Sequence, residues 1–281
     1  MNLTNLSAIR EIADKFGFTF SKSLGQNFLI YPSVCPRIAE MGGADENTGV
    51  IEIGAGFGVL TQELAKRAKK VVAVELDSRL IPVLQYTLAD YDNVKVINED
   101  VLKVDLPGLI AEEFPGMEVV VCANLPYYIT SPIIMALLEQ RLPIKAVTVM
   151  VQKEAGDRLC APMPSRECGA VTAAVRYYSE PKVLFPVSRG SFCPAPNVDS
   201  MVIRLDVKDA LPLQPEEEKT LFRVVKAAFG QRRKTLPNTL SAGLGISKAE
   251  AAEKLAAAGL KPTARAEELS MEQFCRLAKE F

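Results

Sequence analysis

Short apolar runs alternate with segments of helical periodicity over the first two thirds of the chain. The runs GVIEIG (49–54), KVVAVEL (70–76), VKVINED (94–100), MEVVVCAN (117–124) and KAVTVMVQ (145–152) have the length and β-branched content of strands. Between them, residues 59–68, 79–88 and 132–139 carry apolar positions at helical spacing, as does the opening stretch MNLTNLSAIREIADKFG. Strand and helix in alternation predict an α/β fold, a parallel sheet covered by helices on both faces. Two later runs, GAVTAAVRYYSE and DSMVIRLDV, read as β-rich and predict a hairpin-like pair of strands at one end of that sheet.

Around KDALPLQPEEEK (208–219) the chain turns polar and proline-bearing, which predicts a linker. Beyond it the pattern is only helical, over 215–229, 235–242, 248–258 and 271–281. The expected division is therefore a larger domain over 1–208, with an amino-terminal helix and lid segment in its first 45 residues, and a small all-helical domain over 209–281.

Composition narrows the chemistry. With 281 residues, 48% of them hydrophobic, and a net charge of −1, the chain can bury a full core. No apolar run approaches the roughly 18 residues of a membrane helix, and the acidic, helix-patterned opening lacks the form of a signal peptide, so a cytoplasmic protein is expected. Six cysteines form no CxxC pair, which favours reduced thiols and no metal site. There is no histidine, so Ser-His and Cys-His nucleophile systems are excluded. Two acid-free basic stretches, one with Lys15, Lys22 and Arg37, the other running from Lys219 to Lys248 through Arg232, Arg233 and Lys234, point to a polyanionic partner. Taken singly, either could be a solvated face.

VIEIGAGFGVLTQELA reads as strand, glycine turn and helix start. Its glycines, Gly54, Gly56 and Gly58, are spaced G-x-G-x-G, and Val59 stands where the dinucleotide fingerprint requires its third glycine, so a nicotinamide enzyme is disfavoured. With Glu52 in front, the stretch resembles the S-adenosylmethionine loop of class I methyltransferases; a tight strand-to-helix turn is the plain alternative. Glu75 at the end of the second strand can accept from ribose hydroxyls, and Asp100 after the third can accept from an exocyclic adenine amine. Either acid alone reads equally as a solvated strand end. Together with the glycines they describe one ligand lying across the sheet edge.

The fourth strand runs into Asn124-Leu125-Pro126-Tyr127. A nucleobase amine is a poor nucleophile because its lone pair is delocalised, and its methylation needs acceptors that hold its two hydrogens out of the ring plane. Asn124 and a carbonyl beside Pro126, that of Leu125, supply such acceptors, and Tyr127 offers a face on which a base can stack. Tyr128 is assigned to packing, and ITSPII to the cap and first turn of the next helix. As structure alone, the same residues make an ordinary turn.

Asn-Leu-Pro-Tyr after such a glycine loop resembles the methyltransferases that modify adenine N6. Three further stretches, KSLGQNFL (22–29), FCPAPNVDS (192–200) and AAFGQRRKTLPNTL (227–240), narrow the resemblance to the small-subunit ribosomal RNA adenine dimethyltransferase family, over almost the whole chain. The resemblance implies a Rossmann-like, mainly parallel seven-stranded sheet with a small carboxyl-terminal helical domain. It implies a monomer that transfers two methyl groups from S-adenosylmethionine to N6 of each of two adjacent adenosines, in a hairpin loop near the 3′ end of 16S rRNA in the 30S or pre-30S subunit. It also implies that Asn27 and Leu29 line the cofactor site beside Gly54, Gly56, Glu75, Asp100 and Asn124. Phe192 would join Tyr127 in holding the flipped adenine, and Lys22, Arg232, Arg233 and Lys234 would contact RNA. From the residues alone, SKSLGQNFL is a glycine-hinged lid or a plain loop. FCPAPNVDS reads as too proline-rich for a strand, an extended loop that either presents Phe192 or buries it. GQRRK could be a helix end whose cations complement the dipole.

Three other readings share parts of this pattern. A methylase of a large-subunit rRNA adenine shares the catalytic core. A DNA adenine methylase would carry D-P-P-Y and a DNA-recognition segment, and neither is found. A non-enzymatic small-subunit assembly factor would function in cells without Glu75 or Asn124.

Overall fold

The computed structural model of the chain describes residues 3–19 and 27–281. In chain order these form α1 (Leu6–Lys15), β1 (Phe28–Leu29), α2 (Val34–Met41), β2 (Thr48–Ile53), α3 (Val59–Ala65), β3 (Lys70–Glu75), α4 (Ile81–Thr87), β4 (Val94–Asn98), α5 (Leu106–Glu113), β5 (Glu118–Asn124), α6 (Thr130–Glu139), β6 (Ala146–Gln152), α7 (Lys153–Cys160), α8 (Ala170–Tyr178), β7 (Ser179–Val187), β8 (Phe192–Cys193), β9 (Ser200–Val207), α9 (Pro215–Ala228), α10 (Leu236–Leu244), α11 (Lys248–Ala257) and α12 (Met271–Ala278). The chain divides into two compact units, Met1–Gly156 with Lys182–Val207, and Asp157–Pro181 with Lys208–Phe281.

The first unit is built on a seven-stranded sheet in the order β4-β3-β2-β5-β6-β9-β7. The five strands from β4 to β6 pair in parallel, and β9 joins β6 antiparallel. All of β2 and nearly all of β5 and β6 are buried, which is why these strands are unbroken apolar runs without alternation: helices cover both faces. The strand order reverses between β2 and β5, so the turns that follow these two strands leave the sheet side by side. That reversal positions the cleft described below.

Two expectations fail against this architecture. GAVTAAVRYYSE is not a strand but α8, with Thr172, Ala173, Ala174, Val175, Tyr177 and Tyr178 buried. Small and β-branched residues packed on most sides mask the helical period. The edge strand is the following stretch, β7, whose Pro181 and Pro186 hid it; an edge position tolerates their missing N–H donors. Similarly, FCPAPNVDS does contain a strand, two residues long: Phe192 and Cys193 pair antiparallel with Leu29 and Phe28, and the prolines come only after them. Helix α5 has no counterpart in the sequence pattern because Pro107 and Gly108 look like a turn; Pro107 instead sits in the first turn, and Gly108 N–H donates to the Asp105 cap at 3.2 Å.

The second unit is helical. Tyr177 and Tyr178 donate their hydroxyls to the two oxygens of Glu218 on α9, at 3.0 and 2.7 Å, and Phe222 stacks on Tyr178. Helix α8 therefore packs with the carboxyl-terminal helices. The segment before α9 is short: Leu213 is already buried, and α9 begins at Pro215 with Gln214 N–H donating to Glu217.

Candidate functional site

A cleft opens at the carboxyl edge of the sheet in the first unit and encloses about 1140 Å3 including its mouth. Gly54 follows the last residue of β2 and adopts φ 78°, where a side chain would be strained; a Cβ there would meet only the Asn124 carbonyl, at 3.8 Å. The cleft floor at this point is bare backbone. Gly56 faces inward instead: a Cβ would lie 3.0 Å from the Phe28 ring. Phe28 and Phe18 pack edge-on against the buried Phe57 of the same turn, at 4.8 and 5.3 Å between ring centres, so the described residues on both sides of 20–26 are rooted on the glycine turn.

Glu75, at the end of β3, ties the turn to its neighbour. Its Oε2 accepts from Gly56 N–H and its Oε1 from Asp77 N–H, each at 2.9 Å. Burial pushes this carboxyl above its ordinary pKa, while the two N–H donors pull it back. Each oxygen keeps a lone pair for a further donor. Asp100 lies two residues beyond β4, half-buried, with Oδ1 accepting from Leu102 N–H at 3.0 Å. Glu52, within β2, is 1% exposed; its Oε2 has no hydrogen-bond partner, and burial pushes its pKa to about 8. Among the described residues, the cleft wall carries Glu52, Glu75, Asp77, Glu99 and Asp100 and no lysine or arginine.

Asn124 closes β5 directly beside the glycine turn, because Ile53 and Ala123 are in register. Its Nδ2 donates to the Asn27 carbonyl at 3.4 Å, which leaves Oδ1 as the open acceptor. Of the carbonyls that follow, Pro126 is engaged by Ile129 N–H at 3.1 Å and Thr130 Oγ1 at 3.3 Å, whereas no described group donates to Leu125. The motif thus presents two unpartnered acceptors on a turn fixed by Pro126 at φ −58°. Tyr127 is half-buried on the cleft wall, and its hydroxyl shares a 2.7 Å hydrogen bond with Ser200 Oγ, fully buried at the start of β9. Burial raises the pKa of this phenol.

Asn27, Leu29, Gly54, Gly56, Glu75, Asp100 and Asn124 to Tyr127 all line this one cleft. Phe192 does not: it is 3% exposed and packs in the core with Phe28, Leu29 and Phe57. The residue of its motif that reaches Tyr127 is Ser200, eight positions on, to which the sequence alone assigns no role; a hydroxyl closing a motif between Asp199 and an apolar strand is the available signal. Tyr128, assigned to packing, is instead 61% exposed at the cleft wall. In the second unit, Arg232, Arg233 and Lys234 are exposed in the turn between α9 and α10, with Arg232 Nη2 donating to the Arg166 carbonyl at 2.7 Å. They are not at a helix end of the kind the dipole argument needs. Lys22 lies outside the described residues.

A glycine turn of bare backbone at a strand-order reversal, opening on acceptors and carboxylates with no cation for a pyrophosphate among the described residues, suits a ligand rich in hydroxyl, amine or positive groups. The fold and this cleft define a class I, S-adenosylmethionine-dependent methyltransferase. The family model described as ribosomal RNA adenine dimethylase matches residues 17–281, and the chain belongs to that family. It is 51% identical over 273 residues to the ribosomal RNA small subunit methyltransferase A of Geobacillus thermodenitrificans (strain NG80-2), covering 96% of this chain and 93% of the relative. With the protein of the same name from Alkaliphilus oremlandii (strain OhILAs) it shares 50% over 270 residues, covering 96% and 94%. Among solved structures it is similar to a dimethyladenosine transferase from Plasmodium falciparum (TM-score 0.73, 26% identity, 89% of this chain and 95% of that one) and to the 23S rRNA methyltransferase ErmE (TM-score 0.70, 27% identity, 90% and 99%).

Proposed function

We propose that this protein, acting as a monomer in the cytoplasm, dimethylates N6 of two adjacent adenosines in the 3′-terminal hairpin loop of 16S rRNA, within the 30S or pre-30S subunit. The observation that carries the reading is the pair of acceptors without a described donor, Asn124 Oδ1 and the Leu125 carbonyl, beside the bare backbone of Gly54. When bound, S-adenosylmethionine supplies an already activated, cationic methyl group, so catalysis rests on alignment. Gly54 leaves room for it, Gly56 packs on Phe28 and steadies Glu75 through its N–H, Glu75 and Asp100 accept from its hydroxyl and amine groups, and the unpartnered Glu52 oxygen fits a donor on the same ligand.

Asn124 and Leu125 accept the two hydrogens of the adenine amine and turn its lone pair out of the ring. The Asn27 carbonyl keeps the Asn124 amide from flipping, because the reversed amide would set oxygen against oxygen. Tyr127 gives the base a stacking face whose tilt is set by Ser200. No side chain has to act as a base before transfer, since the nitrogen becomes acidic only as it gains the methyl group; this suits a chain without histidine. The first unit, Met1–Gly156 with Lys182–Val207, serves as the catalytic domain in place of the unbroken 1–208, and residues 209–281 of the second grip rRNA through Arg232, Arg233 and Lys234, with Lys22 added from the amino-terminal segment.

The test is transfer of tritium from labelled S-adenosylmethionine to undermethylated 30S subunits, with 50S subunits in parallel and the product mapped to the nucleotide. Label on adjacent 16S adenosines is expected. Label on 50S particles alone would favour the second reading, a 23S rRNA adenine methylase, which the likeness to ErmE keeps in view.

A further inference from the structure

Tyr128 follows the adenine-stacking Tyr127 in a single 3-10 turn, Tyr127–Ile129. The turn is held at both ends, by Pro126 at φ −58° and by the Ile129 and Thr130 donors on the Pro126 carbonyl. Its backbone is therefore fixed, yet 61% of Tyr128 faces solvent on the cleft wall. Among the described residues its ring has no aromatic or cationic partner and its hydroxyl no hydrogen bond. A large aromatic side chain held out on a rigid turn at the mouth of a cleft is a preformed stacking face.

Its position says what it can stack. Along the sheet edge the cleft residues run Asp100 after β4, Glu75 on β3, Gly54 after β2, then Asn124 on β5. The carboxylates at one end of this row are the cofactor's nucleoside acceptors. Tyr128 belongs to the turn at the other end of this row, one residue after the proposed base-stacking Tyr127 and on the wall of the same cleft, so a nucleotide next to the target adenine is the base its ring can meet. We propose that Tyr128 is a second stacking platform, for the nucleobase adjacent to the adenine in the cleft. The proposal rests on the function proposed above and deepens it. A stacking face also explains how one site serves two neighbouring adenines in turn. Dimethylation removes both N6 hydrogens, so a polar contact that read the neighbour's amine would fail once that neighbour was modified; a ring face reads no hydrogens and accepts the base in either state.

The test uses the full-length protein, undermethylated 30S subunits and four variants. Tyr128→Phe and Tyr128→Trp keep a ring face and are expected to stay within twofold of wild type. Tyr128→Ala and Tyr128→Leu are expected to raise the KM for 30S subunits by between about fivefold and a hundredfold, the range of one lost stacked base, with the KM for S-adenosylmethionine within twofold. The chain contains no tryptophan, so Tyr128→Trp also introduces a single tryptophan, whose selectively excited emission should be quenched by a saturating hairpin RNA with two adjacent loop adenines and not by S-adenosylhomocysteine alone. An alanine variant with wild-type KM, a leucine variant as good as phenylalanine, a parallel rise in the cofactor KM, or quenching by S-adenosylhomocysteine alone would each overturn the proposal. Wild-type protein that transfers no methyl group to 30S subunits would instead sink the proposed function, and this platform with it.

Discussion

The cleft of the first unit and the basic turn of the second hold their functional side chains in opposite ways. In the cleft, Glu75 is pinned by two N–H donors, Asn124 by the Asn27 carbonyl and Tyr127 by Ser200, all on elements packed in the core. In the turn between α9 and α10, Arg232, Arg233 and Lys234 stand in solvent, and the guanidinium of Arg232 rests on a single carbonyl, that of Arg166. The difference follows from the work proposed for each. Aligning a lone pair with a methyl group is sensitive to fractions of an ångström, whereas neutralising phosphates depends on charge at a Debye length of about 8 Å in physiological salt.

This contrast can be broken by substitutions that preserve chemistry and move geometry. Asn124→Ala removes an acceptor in the cleft and is expected to lower kcat by about 10²–10³-fold, with cofactor affinity, read by calorimetry, within a few fold. Asn124→Gln keeps the amide but displaces it by a methylene, and single-turnover transfer should fall nearly as far. A glutamine variant near wild-type activity would show that the cleft is not rigid in the way its hydrogen bonds suggest.

The turn should behave otherwise. Replacing Arg232, Arg233 and Lys234 together by alanine is expected to weaken binding to 30S subunits at least tenfold near physiological salt, and to flatten log K against log salt by about 0.7 to 0.9 per lost phosphate contact. Arg233→Lys should cost less than twofold. If the salt slope of the triple variant is unchanged, these cations are a solvated surface and nothing more.

Smaller effects sharpen the picture of the cleft. Ser200→Ala removes one hydrogen bond, worth about 1 kcal/mol, and should lower kcat/KM about fivefold. Tyr127→Phe should cost the same, and the double variant no more than either, because both remove one interaction. Glu52 provides the mildest test. Its folded pKa of about 8 lies above the ordinary value of 4.5, so its contribution to stability is full below the unfolded value and is lost as pH rises through about 8. The melting temperature of the cofactor-free protein should therefore fall between pH 5 and pH 8, and Glu52→Gln should reduce that slope by a few degrees.

Much of this organisation is legible in the residues themselves. The central parallel strands β2, β3, β5 and β6 are rich in apolar residues because both their faces are covered, and that composition survives in any tertiary context. The glycine turn, Glu75, Asp100 and the Asn-Leu-Pro-Tyr segment stand at strand ends, where side chains are chosen for chemistry over packing. Elsewhere packing overrides local preference. Residues 170–178 look like a strand and are α8, the strand itself is β7, whose Pro181 and Pro186 break the pattern, and a proline-rich stretch pairs Phe192 with Leu29.

Residue types and their spacing along the chain thus determined the alternating α/β class, the helical carboxyl-terminal region, the absence of imidazole chemistry and the motifs that carry the family. What tertiary structure alone decided is adjacency. Strand order sets β5 beside β2 and so brings Asn124 to Gly54, seventy residues earlier; it buries Phe192, turns Tyr128 outward and brings Ser200 under the Tyr127 hydroxyl. Periodicity reports which way a residue faces within its own element. It carries no information on which other element it will meet, because that depends on the burial of whole faces against one another.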